Sequence, residues 1–305
     1  MTNSRILLFG GNGQVGWELR RALAPLGEVI APPRLGAGGW CGDIEDLDAL
    51  ADTVRRVRPS VIVNAAAWTD VDGAEREPDA AWRLNADAPA VLARCAAETG
   101  AWLVHYSTDY VFDGRGHRPW SEADVPAPLN VYGASKLAGE EAIRAAGGHH
   151  LILRTSWVYA ARRHNFVRTI LRLARERESL RVIDDQIGAP TGAELIADVT
   201  VHILGSPRLE PRLGGTYHLA AAGATSWYRY ARLIVEIADA CGWPLRLAPE
   251  CIEPVSTEAY GQLAPRPYNS RLDCTALERA FGLRMPDWAE GVERVVCELG
   301  DVGIE

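Results

Sequence analysis

Hydrophobic and polar positions along the first half of the chain alternate between two patterns. Short apolar runs, Arg5 to Phe9, Glu28 to Ala31, Val61 to Asn64, Val104 to Thr108 and Leu151 to Thr155, are separated by longer amphipathic stretches. Short, largely apolar runs of four or five residues without strict alternation suit strands buried on both faces, which parallel sheets contain. The stretches between them, Gln14 to about Leu26, Ile44 to Arg58, Leu84 to Thr99 and the segment around Tyr132, have helical periodicity. Pro59 and Gly100 stop two of these helices, and Asp43 or Asp46 stands at a cap position. Repeated strand–helix units of this spacing predict an α/β fold, a Rossmann-type doubly wound parallel sheet.

The second half is less regular. Helices are predicted over Asn165 to Glu178, Ala193 to Leu204 and from a Ser226 cap to Cys241, with strands at Leu180 to Ile183 and Thr216 to Leu219. Beyond Pro244 the reading is of loops and small elements. The predicted organisation is a dinucleotide-binding domain of residues 1–155, 178–200 and 225–243. A smaller, interleaved substrate lobe takes 156–177, 205–224 and 244–305.

The chemistry concentrates at two places. Gly10-Gly11-Asn12-Gly13-Gln14-Val15-Gly16 lies between the first strand and the first helix, where glycines let backbone approach a pyrophosphate at a helix N-terminus. Ala65-Ala66-Ala67 after the Val61 strand also allows close passage. Ser107 and Thr108 end the Val104 strand at the edge where open α/β sheets bind ligands. Tyr132 and Lys136, four apart, share one helical face, so a cation can lower the phenol pKa into the range of acid–base work. After the second strand, Arg34 stands without an acidic neighbour in Ala31-Pro32-Pro33-Arg34, which favours NADPH and its 2′-phosphate over NADH. Asp43 and Ile44 are placed to flank the adenine.

Composition narrows the class. With 305 residues the chain can bury a sizeable core, and a net charge of −8 argues against a nucleic-acid partner. No apolar run approaches the ~20 residues of a membrane span, and the start leads into a core strand rather than a signal peptide, so a cytoplasmic location is expected. The six cysteines are scattered without a Cys-x-x-Cys pair and read as free thiols.

Gly10-x-x-Gly13-x-x-Gly16, Asn64-Ala65-Ala66-Ala67, Ser107-Thr108-Asp109-Tyr110-Val111-Phe112 and Tyr132-x-x-x-Lys136 together resemble the extended short-chain dehydrogenase/reductase superfamily. Val71-Asp72-Gly73-Ala74-Glu75, Arg154-Thr155-Ser156-Trp157, Asn165-Phe166, Asp184 to Thr191 and Arg266-Pro267-x-Asn269-Ser270 narrow it to the branch reducing nucleotide-linked 4-keto sugars. That resemblance implies reduction of dTDP-4-dehydro-L-rhamnose to dTDP-L-rhamnose for surface polysaccharide. Tyr132 would be the proton donor, Lys136 would bind the nicotinamide ribose, and Thr108 would hold the substrate oxygen. Asp109, Trp157, Asn165 and Arg266 would meet the nucleotide sugar, with Arg271 a second candidate for its diphosphate. It also implies a homodimer and Mg²⁺ at Glu18, Glu194 and Glu298. Related dehydratases carry a Glu where this chain has Tyr110, which disfavours elimination. An epimerase and a non-catalytic nucleotide-binding regulatory subunit are the alternatives.

Overall fold

The computed structural model describes residues 4–34, 39–207 and 209–302, with side chains through 300. Its centre is a six-stranded sheet. The strands are β1 (Arg5–Phe9), β2 (Glu28–Ile30), β3 (Val61–Asn64), β4 (Trp102–Thr108) and β5 (His150–Thr155). Gly215–His218 completes it; Leu180–Ile183 is β6, making that last sheet strand β7. The order is β7-β5-β4-β3-β1-β2 and every pairing is parallel. The expected doubly wound architecture is present.

After β1 the chain winds outward to β2, then returns to place β3 on the other side of β1. The β1/β3 boundary is therefore the switch point, where a crevice opens beyond the strand ends. Helices α1 (Gln14–Ala22) and α2 (Leu47–Val57) follow β1 and β2. Helices α3 (Ala88–Thr99) and α4 (Val131–Ala145) flank β4 in sequence. Leu50, Val54, Leu92 and Ile143 pack with Leu7, Ile62 and Ile152 on one face of the sheet. Leu19, Ile196 and Phe281 pack with Ile6, Leu8 and Leu153 on the other.

A second core lies outside the sheet. It joins α5 (Phe166–Glu176), β6, α7 (Trp227–Ala240), β8 (Ile252–Val255) and α8 (Trp288–Val302). The expected partition shifts accordingly. Residues 180–183 pair with β8 and α7 packs against α5 and α8, so both belong with the lobe. Gly215–His218, expected in the lobe, hydrogen-bonds along β5 as the edge of the main sheet. Helix α6 (Ala193–Gly205) stays with the sheet, packed on α1. The region after Pro244 holds more than loops, because Val292, Val295, Val296 and Leu299 form one buried stripe of α8.

Some boundaries move for local reasons. Asp46, rather than Asp43, caps α2 by accepting from the Ala49 N–H at 3.0 Å. The expected helix from Leu84 begins as a π-helical turn over Arg83–Asp87 and becomes α-helical only at Ala88. Among the described residues no helix is long and apolar enough to cross a membrane.

Candidate active site

The glycine loop closes against the end of β3. Gly10 has φ +76, and a β-carbon there would lie 2.6 Å from the Ala65 carbonyl. A β-carbon on Gly16 would strike the Gly10 carbonyl. These glycines are needed for the loop to fold onto the β1/β3 boundary at all. Gly13 then begins α1 without a side-chain cap, leaving the helix N-terminus open to an anion. A cavity of about 200 Å³ follows, lined by Gly10, Gly13, Arg34, Asp43, Ile44, Ala66 and Ala67. Its backbone surfaces and open helix end fit a dinucleotide. Gln14, Val15 and Gly16 form the first turn of α1, where Val15 packs toward the core instead of lining the cavity.

Arg34 reaches this cavity but is not unpartnered. Its Nε lies 3.3 Å from Asp43 and its Nη2 2.9 Å from Glu45. Asp43 is thus engaged by Arg34, and Glu45, eleven residues on, is the acidic neighbour that Arg34 lacks in the sequence just after β2.

Strand β4 and helix α4 build the second part. Thr108 ends β4, accepting from the Tyr110 N–H and donating to Asp109 Oδ1, both at 3.2 Å. Asn130 caps α4 through the Gly133 N–H at 2.8 Å. That cap fixes where Tyr132 and Lys136, one turn apart, leave the helix. Tyr110 packs edge-on against Tyr132 with ring centroids 5.5 Å apart.

Burial pushes the Tyr132 phenol up to about 12, opposed by a hydrogen bond with Thr108. The expectation that Lys136 lowers this pKa is not met. Lys136 Nζ is instead spent on the Tyr106 carbonyl at 2.6 Å and His105 Nε2 at 3.1 Å. Burial draws Lys136 down to about 8 against the opposing charge of Glu140. Asp109, only 2 % exposed, is raised to about 7 by burial, and its Oδ2 has no hydrogen-bond partner. A raised folded pKa means that ionising Asp109 costs stability as pH climbs from the unfolded carboxylate range toward 7. Asp109→Asn is therefore expected to stabilise the fold at pH 8 by on the order of 2 kcal/mol, with a corresponding rise in Tm, and to change Tm little at pH 4. Thermal denaturation at both pH values checks this.

An unpredicted charge network braces the site. Arg154 on β5 grips Glu140 of α4 through two bonds, Nε to Oε1 at 2.8 Å and Nη2 to Oε2 at 2.6 Å. Ser107 of β4 donates to the same carboxylate at 2.5 Å, and Arg144 adds a bond at 3.1 Å. Arg154, Ser107 and the other donors hold Glu140 below the usual carboxylate range despite its burial. The signal was an arginine in an otherwise apolar strand and a glutamate one turn beyond Lys136 on the same helix.

The expected substrate residues divide. Trp157, at φ +49, stacks on Trp227 at 3.7 Å. Arg266 pairs with Asp72 at 3.1 Å and, with Tyr110, Gln186 and Trp227, lines a cavity of about 300 Å³ beside the Tyr132 end of the site. Arg271 bonds Asn269 at 2.8 Å. Asn165 is committed elsewhere. It caps α5 through the Arg168 N–H at 3.2 Å and donates to the Ala160 carbonyl at 2.7 Å and Gln14 at 3.1 Å. Its amide therefore serves as a clasp between the lobe and the glycine loop.

The three glutamates expected at a metal do not form a ligand set within the chain. Glu18 lies 3.7 Å from Arg21, Glu194 is ion-paired with Arg294, and Glu298 is exposed. Among the described residues no group of three acidic, His or Cys side chains could hold a metal ion.

The family model for the RmlD substrate binding domain matches residues 4–300. The dTDP-4-dehydrorhamnose reductase of Escherichia coli K12 is 53% identical over 294 residues, covering 96% of this chain and 97% of that protein. The chain belongs to the dTDP-4-dehydrorhamnose reductase family. A member of that family from Burkholderia thailandensis is 46% identical over 97% of this chain and 99% of its own length. The crystal structure of the Bacillus anthracis reductase, a complex with NADP, superposes with a TM-score of 0.88 at 35% identity, covering 97% of this chain and all of that one.

Proposed function

We propose that this member of the dTDP-4-dehydrorhamnose reductase family reduces the 4-keto group of dTDP-4-dehydro-L-rhamnose with NADPH, giving dTDP-L-rhamnose for surface polysaccharide. What supports this reading is that Thr108 at the end of β4 is hydrogen-bonded to Tyr132, one turn before Lys136 on α4, in a chain of this family whose glycine loop opens onto a separate cavity. When bound, the nicotinamide supplies the hydride. Gly10, Gly13, Ala66, Ala67 and the open end of α1 would hold the dinucleotide. Tyr132 supplies the proton to the substrate oxygen, and its high pKa keeps that proton in place until charge develops on the oxygen. The Thr108 hydroxyl orients that oxygen, while the unpartnered Asp109 Oδ2 is available to a sugar hydroxyl. Arg266 and Trp227, on which Trp157 stacks, line the cavity where the nucleotide sugar would lie.

Elimination is disfavoured because Tyr110 occupies the position where a dehydratase needs a carboxylate base, and burial raises its phenol further from ionisation. The reading is tested by mixing the protein with dTDP-4-dehydrorhamnose and following loss of the reduced nicotinamide absorbance. No loss with cofactor bound would favour an epimerase or a binding subunit. Cofactor preference has its own test. Arg34→Ala is expected to raise the KM for NADPH about tenfold while leaving NADH nearly unchanged, the effect of removing one phosphate contact. Equal changes for both cofactors would show that Arg34 only holds Asp43 and Glu45 in place.

A further inference from the structure

Lys136 is the only lysine in the chain, against 31 arginines. A guanidinium keeps its proton at any working pH, whereas an ammonium can lose it when buried. Lys136 is 2 % exposed, and its surroundings discriminate between its two protonation states.

The Asn64 Oδ1 accepts the Ala66 N–H at 3.2 Å, which turns its Nδ2 toward His105 Nδ1 at 3.1 Å. An amide nitrogen only donates, so Nδ1 must accept and the single proton of neutral His105 sits on Nε2. That Nε2–H faces Lys136 Nζ at 3.1 Å. An ammonium cannot accept it, but an amine can, while still donating to the Tyr106 carbonyl at 2.6 Å. The other imidazole tautomer sets a proton against the Asn64 amide, and rotating that amide breaks the Ala66 bond. Asn64 and His105 are each 1 % exposed, so no bulk water relieves the mismatch.

We propose that Asn64 and His105 are positioning residues that make Lys136 a removable proton store rather than a fixed cation, because their hydrogen bonds are complete only around its neutral amine. This rests on the reading of Tyr132 as proton donor. Reduction of a ketone places a hydride on carbon and a proton on oxygen. Tyr132 gives the proton and becomes phenolate; the Lys136 ammonium replaces it and becomes the amine that His105 Nε2–H then supports. Tyr132 and Glu140 stand one turn either way on α4, and Glu140 is the charged group that acts on Lys136. Arg154 and Arg144 offset the Glu140 charge that would otherwise favour the ammonium. Burial draws both groups toward their neutral forms, His105 well below its ordinary value and Lys136 down to about 8.

A sole lysine makes the test direct, since labelling lysine at its side-chain nitrogen gives one ammonium resonance. Titrating the cofactor-free protein by NMR should give a midpoint at about 8. In Asn64→Asp the carboxylate accepts both the Ala66 N–H and an Nδ1–H of His105, so Nε2 turns acceptor and the ammonium is favoured. The midpoint should rise by about 1 pH unit or more, and the basic limb of kcat should rise with it. The shift should vanish in Asn64→Asp combined with His105→Leu, or with His105→Met if the leucine variant does not fold. An unmoved midpoint in Asn64→Asp, or a shift that survives without His105 and so comes from the new charge alone, would overturn the proposal. Because the titration needs neither cofactor nor turnover, failure here leaves the reductase assay untouched. An inactive protein with the expected titration would instead count against the reductase reading.

Discussion

Tyr132→Phe is expected to lower kcat about 100- to 10,000-fold, the usual span for removing a positioned proton donor. The phenyl ring preserves the edge-on packing against Tyr110, and the hydroxyl lost is the one bonded to Thr108. NADPH affinity should change by less than about threefold, since the glycine loop and Ala66–Ala67 remain intact. Steady-state rates alongside cofactor binding by fluorescence separate the two. A fall in kcat/KM that comes wholly through KM would place Tyr132 in substrate binding and leave the proton donor unassigned.

The largest stability effect is expected at Glu140. Glu140→Gln leaves the buried Arg154 guanidinium facing a neutral amide, and Glu140→Leu leaves it facing none. Breaking one side of a buried ion pair costs ~3–5 kcal/mol, so Tm should fall by roughly 6–15 °C, more for Leu than for Gln. The pH dependence has a definite sign. The Glu140 carboxyl is held below its unfolded value, so its contribution is present above the unfolded carboxylate range and is lost as pH falls through the folded pKa. Thermal scans between pH 3 and pH 7 should therefore show a shallower acid loss in Glu140→Gln than in the wild type. Because Ser107, Glu140 and Arg154 join β4, α4 and β5, the same variant should also lower kcat by loosening the helix that carries Tyr132.

The fold was legible where the physics is local. Buried parallel strands announce themselves as continuous apolar runs, and all five strands of the first half lie where such runs stand, from Arg5–Phe9 to His150–Thr155. Gly10 and Gly16 could be read because loop closure there depends on the absence of a β-carbon, a property of the residue itself. The Tyr132 and Lys136 spacing follows from helical periodicity alone.

What could not be read depends on contacts distant in sequence. Gly215–His218 looks like any short strand until β5 is available to pair with it, and Leu180–Ile183 differs only in finding Ile252–Val255 instead. Asn165 carries an amide suited to a sugar hydroxyl, yet Gln14, 151 residues away, takes it. His105 reads as a packed strand residue; its position between Asn64 and Lys136 emerges only when β3, β4 and α4 come together. The α8 helix is a different case. Its stripe at Val292, Val295, Val296 and Leu299 was present in the sequence, masked by the proline-rich stretch before it.

The reductase activity is tested most directly by following the hydride itself. NADPH carrying deuterium at the transferable position is incubated with the protein and dTDP-4-dehydrorhamnose, and the product is examined by mass spectrometry and NMR. One deuterium per product molecule is expected, located at C4 of dTDP-rhamnose, with an equal amount of NADP⁺ formed. Conversion of the sugar without net loss of NADPH, or product with no deuterium at C4, would contradict it.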